Sequence, residues 1–132
     1  MIRAVLFSAA LFAATAQAQA QAQAQAEASL ERGQMLFQTK CSICHNSEAA
    51  AGHAVGPNLH DVVGRKIGSA EGFAYSAAMS GSAGSWSAER LDAFLTSPAT
   101  ALPGTAMPFS GLKKAEDRQS LILFLQSLSP KE

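Results

Sequence analysis

Cysteine is scarce in this chain, with two residues in 132, and charge is evenly matched, ten Lys and Arg against ten Asp and Glu. Balanced charge argues against a nucleic-acid binder, which usually carries a strong basic excess. Two cysteines are too few for the disulfide framework that staples small secreted folds. Aromatics are sparse too: one Trp, one Tyr and seven Phe. No apolar run approaches the roughly 20 residues a membrane-spanning helix needs. Strand alternation, internal repeats, a phosphate loop, a carboxylate pair and a nucleophile–base pair are all missing. What remains is an all-α chain with large loops and no enzymatic machinery of its own.

What is present starts with a leader. Arg3 supplies a positive start, Ala4 to Ala14 a short apolar run, and Ala16-Gln17-Ala18 a small-residue cleavage pattern. These are the parts of a secretory signal. The Gln-Ala alternation to Ala26 repeats the cleavage pattern, so residues 1–26 are expected to be signal peptide and leader. Residues 27–132 then form the working domain, exported to the periplasm. That domain is small for burying a core unaided.

The decisive motif is Cys41-Ser42-Ile43-Cys44-His45. A Cys-x-x-Cys-His run is the attachment signature of c-type haem. The two thiols can add across the vinyl groups of the porphyrin, and the adjoining imidazole can reach the iron from one face. One motif implies one haem c, covalent through Cys41 and Cys44, with His45 as an axial ligand. The macrocycle would supply the apolar centre that the short chain lacks. An oxidising compartment would otherwise tend to close such a pair into a disulfide. A thioredoxin-type pair is the competing reading, but no βαβ pattern accompanies it. Zinc held by Cys41, Cys44, His53 and His60 is another, with spacings that match no common finger.

Around the motif, Leu30 to Lys40 reads as a first helix, with Leu30, Gly33 and Phe37 on one side. Asn46 to Gly84 is rich in Gly, Ala, Ser and Pro; so long an irregular stretch is usually a functional or ligand-wrapped loop. One short helix fits within Gly72 to Met79. Ser87 is placed to cap a helix carrying Leu91, Phe94 and Leu95, with Glu89 in its first turn and Pro98 as its stop. A second loop runs from Ala99 to Leu112. The last helix covers Lys114 to Leu128, with Leu121, Ile122, Phe124, Leu125 and Leu128 forming a broad buried face, and Pro130 ends it. A second axial ligand has several candidates. Met107 lies in a Pro/Gly-framed loop rather than on a helical stripe; Met35, Met79, His53 and His60 compete with it.

Taken together, 29–128 resembles the class I c-type cytochromes, the group of mitochondrial cytochrome c and the soluble bacterial cytochromes c. Gly33, Phe37 and Leu121 to Leu125 resemble the two terminal helices that cross in that family, with Phe124 at the aromatic contact. Gly56-Pro57-Asn58-Leu59-His60 and Gly64-Arg65-Lys66 are similar to its proximal loop, and Gly72-Phe73-Ala74-Tyr75 with Trp86 keep its spacing. Pro103-Gly104-Thr105-Ala106-Met107 resembles its distal-ligand motif. The resemblance implies a class I cytochrome c fold, few helices and large loops wrapped around one covalent haem. It implies Met107 as the second iron ligand and the Pro57 carbonyl as the acceptor for His45. It also implies that Tyr75, Trp86 and Arg65 hydrogen-bond or neutralise the inner haem propionate. A buried carboxylate needs such donors.

The function so implied is soluble one-electron transport, by a monomer working between a redox donor and acceptor. Those are membrane-bound complexes or a periplasmic dehydrogenase. Peroxidase-like haem chemistry is the alternative, open only if Met107 dissociates. Departures from the family shape the expectation. Phe94 stands where many members have Tyr, and Met79 where many are polar, which makes the distal interior drier. Ala54, Ala99, Thr100 and Ala106 replace lysines that ring the haem edge in mitochondrial members, while Lys40, Lys113 and Lys114 remain. Partner attraction should therefore be weaker and less salt-sensitive.

Overall fold

The computed structural model describes residues 29–129, and the expected signal peptide and leader fall outside them, as does Pro130. Among the described residues five helical elements follow one another, joined by loops. α1 spans residues 29–41; it is α-helical to residue 36 and widens into a π-turn over Phe37–Cys41. α2 is Ala77–Ser80, α3 Ala88–Thr96, α4 Pro98–Ala101 and α5 Ala115–Ser127. Among the described residues, β pairing is confined to one isolated bridge, Lys66 to Ser85.

The π-turn was not expected from periodicity. The Ser42 amide donates to the Phe37 carbonyl at 2.9 Å, a five-residue step. The Thr39 hydroxyl takes the Met35 carbonyl and the Ser42 hydroxyl the Gln38 carbonyl. Hydroxyls that bond back onto the preceding turn compete with the regular ladder. Such π-bulges concentrate at functional sites, and this one ends on Cys41.

α3 begins as anticipated, with the Ser87 hydroxyl accepting from the Arg90 amide at 3.2 Å. Pro98 does more than stop it. The proline opens α4 at its first position, where a missing N–H costs nothing. The stretch from Ala99 expected as loop therefore starts with helix. α5 matches its expected span to within a residue, with Lys114 at its N-cap.

Leu91, Phe94 and Leu95 of α3 and Leu121, Ile122 and Leu125 of α5 belong to one core with Phe37 and Trp86. Leu121 is 1% exposed; burial of a leucine to that degree stabilises by about 1.5–3 kcal/mol. α1 crosses α5 at Gly33. A Cβ on Gly33 would stand 1.9 Å from the Ser120 carbonyl oxygen and 2.9 Å from the Phe124 Cβ. Only a hydrogen fits there. The close approach brings the Phe37 and Phe124 rings to 5.2 Å. Arg32 to Asp117 and Arg118 to Asp92 link α5 to α1 and α3 at the surface. Each pair keeps one partner about half exposed to solvent, which screens it, so it contributes little.

Candidate functional site

Beyond α1 the chain folds back on itself. The Cys44 and His45 amides donate to the Cys41 carbonyl at 3.0 and 2.9 Å, a turn that sets Cys41, Cys44 and His45 at the end of the widened helix. Both cysteines are free thiols and half-buried. Burial, and after it the neighbouring Cys44, pushes the Cys41 thiol up to about 11.

His45 is 8% exposed, and its Nδ1 lies 2.7 Å from the Pro57 carbonyl oxygen. A carbonyl only accepts, so Nδ1 carries the proton and Nε2 keeps its lone pair. Burial pulls the imidazole pKa below its ordinary value, against a lesser upward pull from the Pro57 hydrogen bond. Metal-binding histidines are held in this way, with the tautomer fixed by the nitrogen that faces the protein. Gly56 makes the seat. A Cβ there would lie 2.3 Å from His45 Cε1 and 2.7 Å from Nδ1. The Gly56 amide in turn donates to the Cys44 carbonyl at 2.7 Å.

Asn58 and His53 hold that loop in shape, and neither role was legible in the motif. The buried Asn58 amide donates to the Glu48 and Ala51 carbonyls, and its side-chain oxygen accepts from the His60 amide. His53 Nδ1 accepts from the Asn58 amide at 3.0 Å, and Nε2–H donates to the Glu71 carbonyl at 2.7 Å. With both nitrogens engaged on backbone, His53 straps two loops together and drops out as an iron ligand.

Met107 sits in an extended loop anchored at both ends. Thr105 turns back onto the Leu102 carbonyl at 3.0 Å, and the Leu112 amide reaches the Leu95 carbonyl at 2.7 Å. Lys113 closes the end of α3 through the Thr96 carbonyl. Met107, Met79, Cys41, Leu59 and Phe109 all pack, half-buried, against the core. Two methionines thus share that shell, Met79 from α2 and Met107 from the loop. Met35 is exposed on α1.

The polar residues are placed less uniformly. Trp86 is 9% exposed, stacks at 5.0 Å on Phe94, and its indole N–H has no partner among the described residues. The Tyr75 hydroxyl accepts from the Ala70 amide at 3.1 Å, which leaves its proton free to donate. Two of the Arg65 guanidinium nitrogens donate to the His60 and Asn58 carbonyls at 3.1 Å each. Its charge is thereby fixed against the proximal loop.

A haem suits this donor set. The seat at Gly56, the fixed His45 tautomer and two free thiols at the attachment spacing are what such a group requires. The family profile described as cytochrome c matches residues 30–129. The chain belongs to the cytochrome c family. Similar proteins include cytochrome c of Chlamydomonas reinhardtii, 45% identical over 97 residues, 74% of this chain and 87% of that one. Cytochrome c of Ginkgo biloba is 40% identical over 100 residues, 76% of this chain and 88% of its own. Cytochrome c of Gibberella zeae is 42% identical over 97 residues, 74% of this chain and 92% of its own.

As a member of this family, the chain is a haem-bearing electron carrier rather than an enzyme, and it works with redox partners. Its haem c is single and covalent, and Cys41 and Cys44 stand at the spacing that attachment needs. No helix among the described residues is long and apolar enough to cross a membrane.

Proposed function

We propose that this cytochrome c is a periplasmic one-electron carrier, with Cys41 and Cys44 as thioether anchors and His45 and Met107 as the iron's axial ligands. The observation that carries the reading is the His45 geometry. With Nδ1–H committed to Pro57 at 2.7 Å, Nε2 is a ready donor. Met107 carries no proton that must leave before its sulfur can ligate; thioether–imidazole ligation raises the iron's potential. When bound, the haem supplies the one-electron iron couple.

The protein's own part is to keep both ligands still. Pro57 and Gly56 fix the imidazole, while the Leu102 and Leu95 carbonyls hold the ends of the Met107 loop. Ligands that need not move leave little to reorganise when charge changes. Trp86 and Tyr75 offer N–H and O–H donors for an inner propionate, and Arg65 places a positive charge near them. Phe94 against Trp86 keeps the interior apolar.

Residues 1–26 act as the export signal and leader, and 27–132 as the haem domain. The charged start, short apolar run and repeated Ala-Gln-Ala pattern support this reading. The donor and acceptor are membrane-bound complexes or a periplasmic dehydrogenase, met by a monomer.

Mass spectrometry of the mature chain, cell fractionation and a redox-titrated visible spectrum test the proposal together. A covalent haem adduct in the periplasmic fraction with a low-spin spectrum is expected. Met107→Ala should retain the adduct and lose native low-spin ligation. Native ligation persisting in that variant would refute Met107 and point to Met79.

A further inference from the structure

Among the described residues, the hydrogen bonds of 103–109 stay within 102–109. The Thr105 amide donates to the Leu102 carbonyl, the Met107 amide to the Thr105 hydroxyl at 3.4 Å, and the Phe109 amide to the Met107 carbonyl. Apart from packing, what places Met107 is therefore the fixing of the loop's two ends. At the entry, α4 does this with its own backbone, through the Leu102 amide and the Pro98 carbonyl at 2.9 Å. The exit is held by α5. Arg118, with its side chain 12% exposed, donates from Nη1 to the Leu112 and Lys113 carbonyls at 3.0 and 3.1 Å. Its Nε donates to Asp92 of α3 at 2.8 Å. One planar fork thus joins the loop exit to two helices.

The exit has no slack around that fork. Gly111 has φ +94°, and a Cβ on it would stand 2.1 Å from the Thr96 carbonyl oxygen. Lys113 Nζ donates to that same oxygen and to the Ser110 carbonyl. The residue before Arg118, Asp117, pairs with Arg32 of α1, the helix that ends on Cys41. Successive residues of α5 therefore hold the attachment helix and the distal loop in one frame. We propose that Arg118 is a positioning residue for the distal ligand: by fixing the loop exit to α3 and α5, it keeps Met107 in place against competing ligands. The inference rests on Met107 as the iron's second ligand. The Asp92 pair, open to solvent on the Asp92 side, adds little energy of its own; it orients the fork that holds the two carbonyls. A lysine cannot do the same, because an ammonium is a point donor on a flexible stem and the guanidinium is a rigid fork.

Imidazole is the probe, a neutral ligand that can bind only where Met107 gives way, and its binding to the oxidised holoprotein is read from the visible spectrum. Arg118→Gln should bind it about tenfold more tightly than wild type, about 1.4 kcal/mol, the scale of one hydrogen bond to a charged group. Arg118→Lys keeps the charge without the fork and should still bind it at least about threefold more tightly. Lys113→Ala changes an exposed side chain at the same exit and should tighten binding about threefold, which keeps the test open where loss of Arg118 unfolds the chain. Two controls separate positioning from general weakening. Arg32→Gln removes the same charge from a pair on the same helix, and Ser87→Ala removes the α3 cap. Neither shares a partner with the exit, so both should stay within about twofold of wild type. Wild-type affinity in Arg118→Gln or in Lys113→Ala, full rescue by Arg118→Lys, or equal tightening in the controls overturns the proposal. Failure of the Met107 reading shows separately, as a Met107→Ala variant that binds imidazole no more tightly than wild type.

Discussion

Replacing Gly33 by alanine probes the helix crossing on which the fold turns. The added methyl carbon would be 1.9 Å from the Ser120 carbonyl oxygen, 2.6 Å from its carbon and 2.9 Å from Phe124 Cβ. Two of those three atoms are α5 backbone, so no rotamer change relieves them. Restoring ordinary contact requires α1 and α5 to separate by about 1.5 Å, an overpacking strain of about 1–3 kcal/mol. The Phe37–Phe124 contact at 5.2 Å opens with it, and such a pair contributes about 0.5–1.5 kcal/mol. Alanine's better helix propensity returns about 1 kcal/mol. The net is a loss of about 1–3 kcal/mol, or about 1 M in urea midpoint at the usual slope for a small domain. Gly52 and Gly64 are the controls. A Cβ meets nothing within 4 Å at either, but Gly64 has φ +88° and Gly52 does not have a left-handed φ. Gly52→Ala should be neutral or slightly stabilising, and Gly64→Ala should lose about 1 kcal/mol from backbone strain alone. Urea unfolding of the holoprotein, followed by circular dichroism, orders the three. A Gly33→Ala midpoint at or above wild type would refute the crossing argument.

Other perturbations separate the site from its supports. Gly56→Ala drives a methyl into the His45 ring, so the visible spectrum should change more than it does for Gly52→Ala in the same loop. Leu121→Ala, at a side chain 1% exposed, should cost about 2–5 kcal/mol in urea unfolding. Ser87→Ala removes the α3 cap and should lower stability by about 1 kcal/mol. Glu89 has its pKa lowered by its own backbone N–H and then by the Ser87 hydroxyl. Its contribution is thus present above the ordinary carboxylate pKa and fades as pH falls through the lowered folded value. Glu89→Gln should flatten that part of the stability profile, seen as a smaller difference between urea midpoints at neutral and acid pH.

Local patterns reach far in this protein because its chemistry is written in contiguous residues. Cys41 to His45 names the cofactor, since attachment depends on spacing along the chain rather than on distant partners. Ser87 and the stripe from Leu91 to Leu95 place α3, and the apolar face from Leu121 to Leu125 places α5, because capping and helical period are short-range. Most of the fold class and the anchoring residues follow from that.

Tertiary structure decided what depends on backbone atoms meeting across the chain. The π-turn at Phe37–Cys41 arises where hydroxyls compete with the helix ladder, which residue type alone does not announce. His53 passes for an iron ligand by composition, yet the fold ties both its nitrogens to Asn58 and Glu71. Arg65 is drawn onto two carbonyls of the proximal loop. Gly33 and Gly56 show the same division: the chain supplies a missing side chain, and only the folded arrangement reveals whether a helix or an imidazole fills the space. Sequence sets which groups are available within a few residues; long-range hydrogen bonds and close packing determine which of them remain free to act.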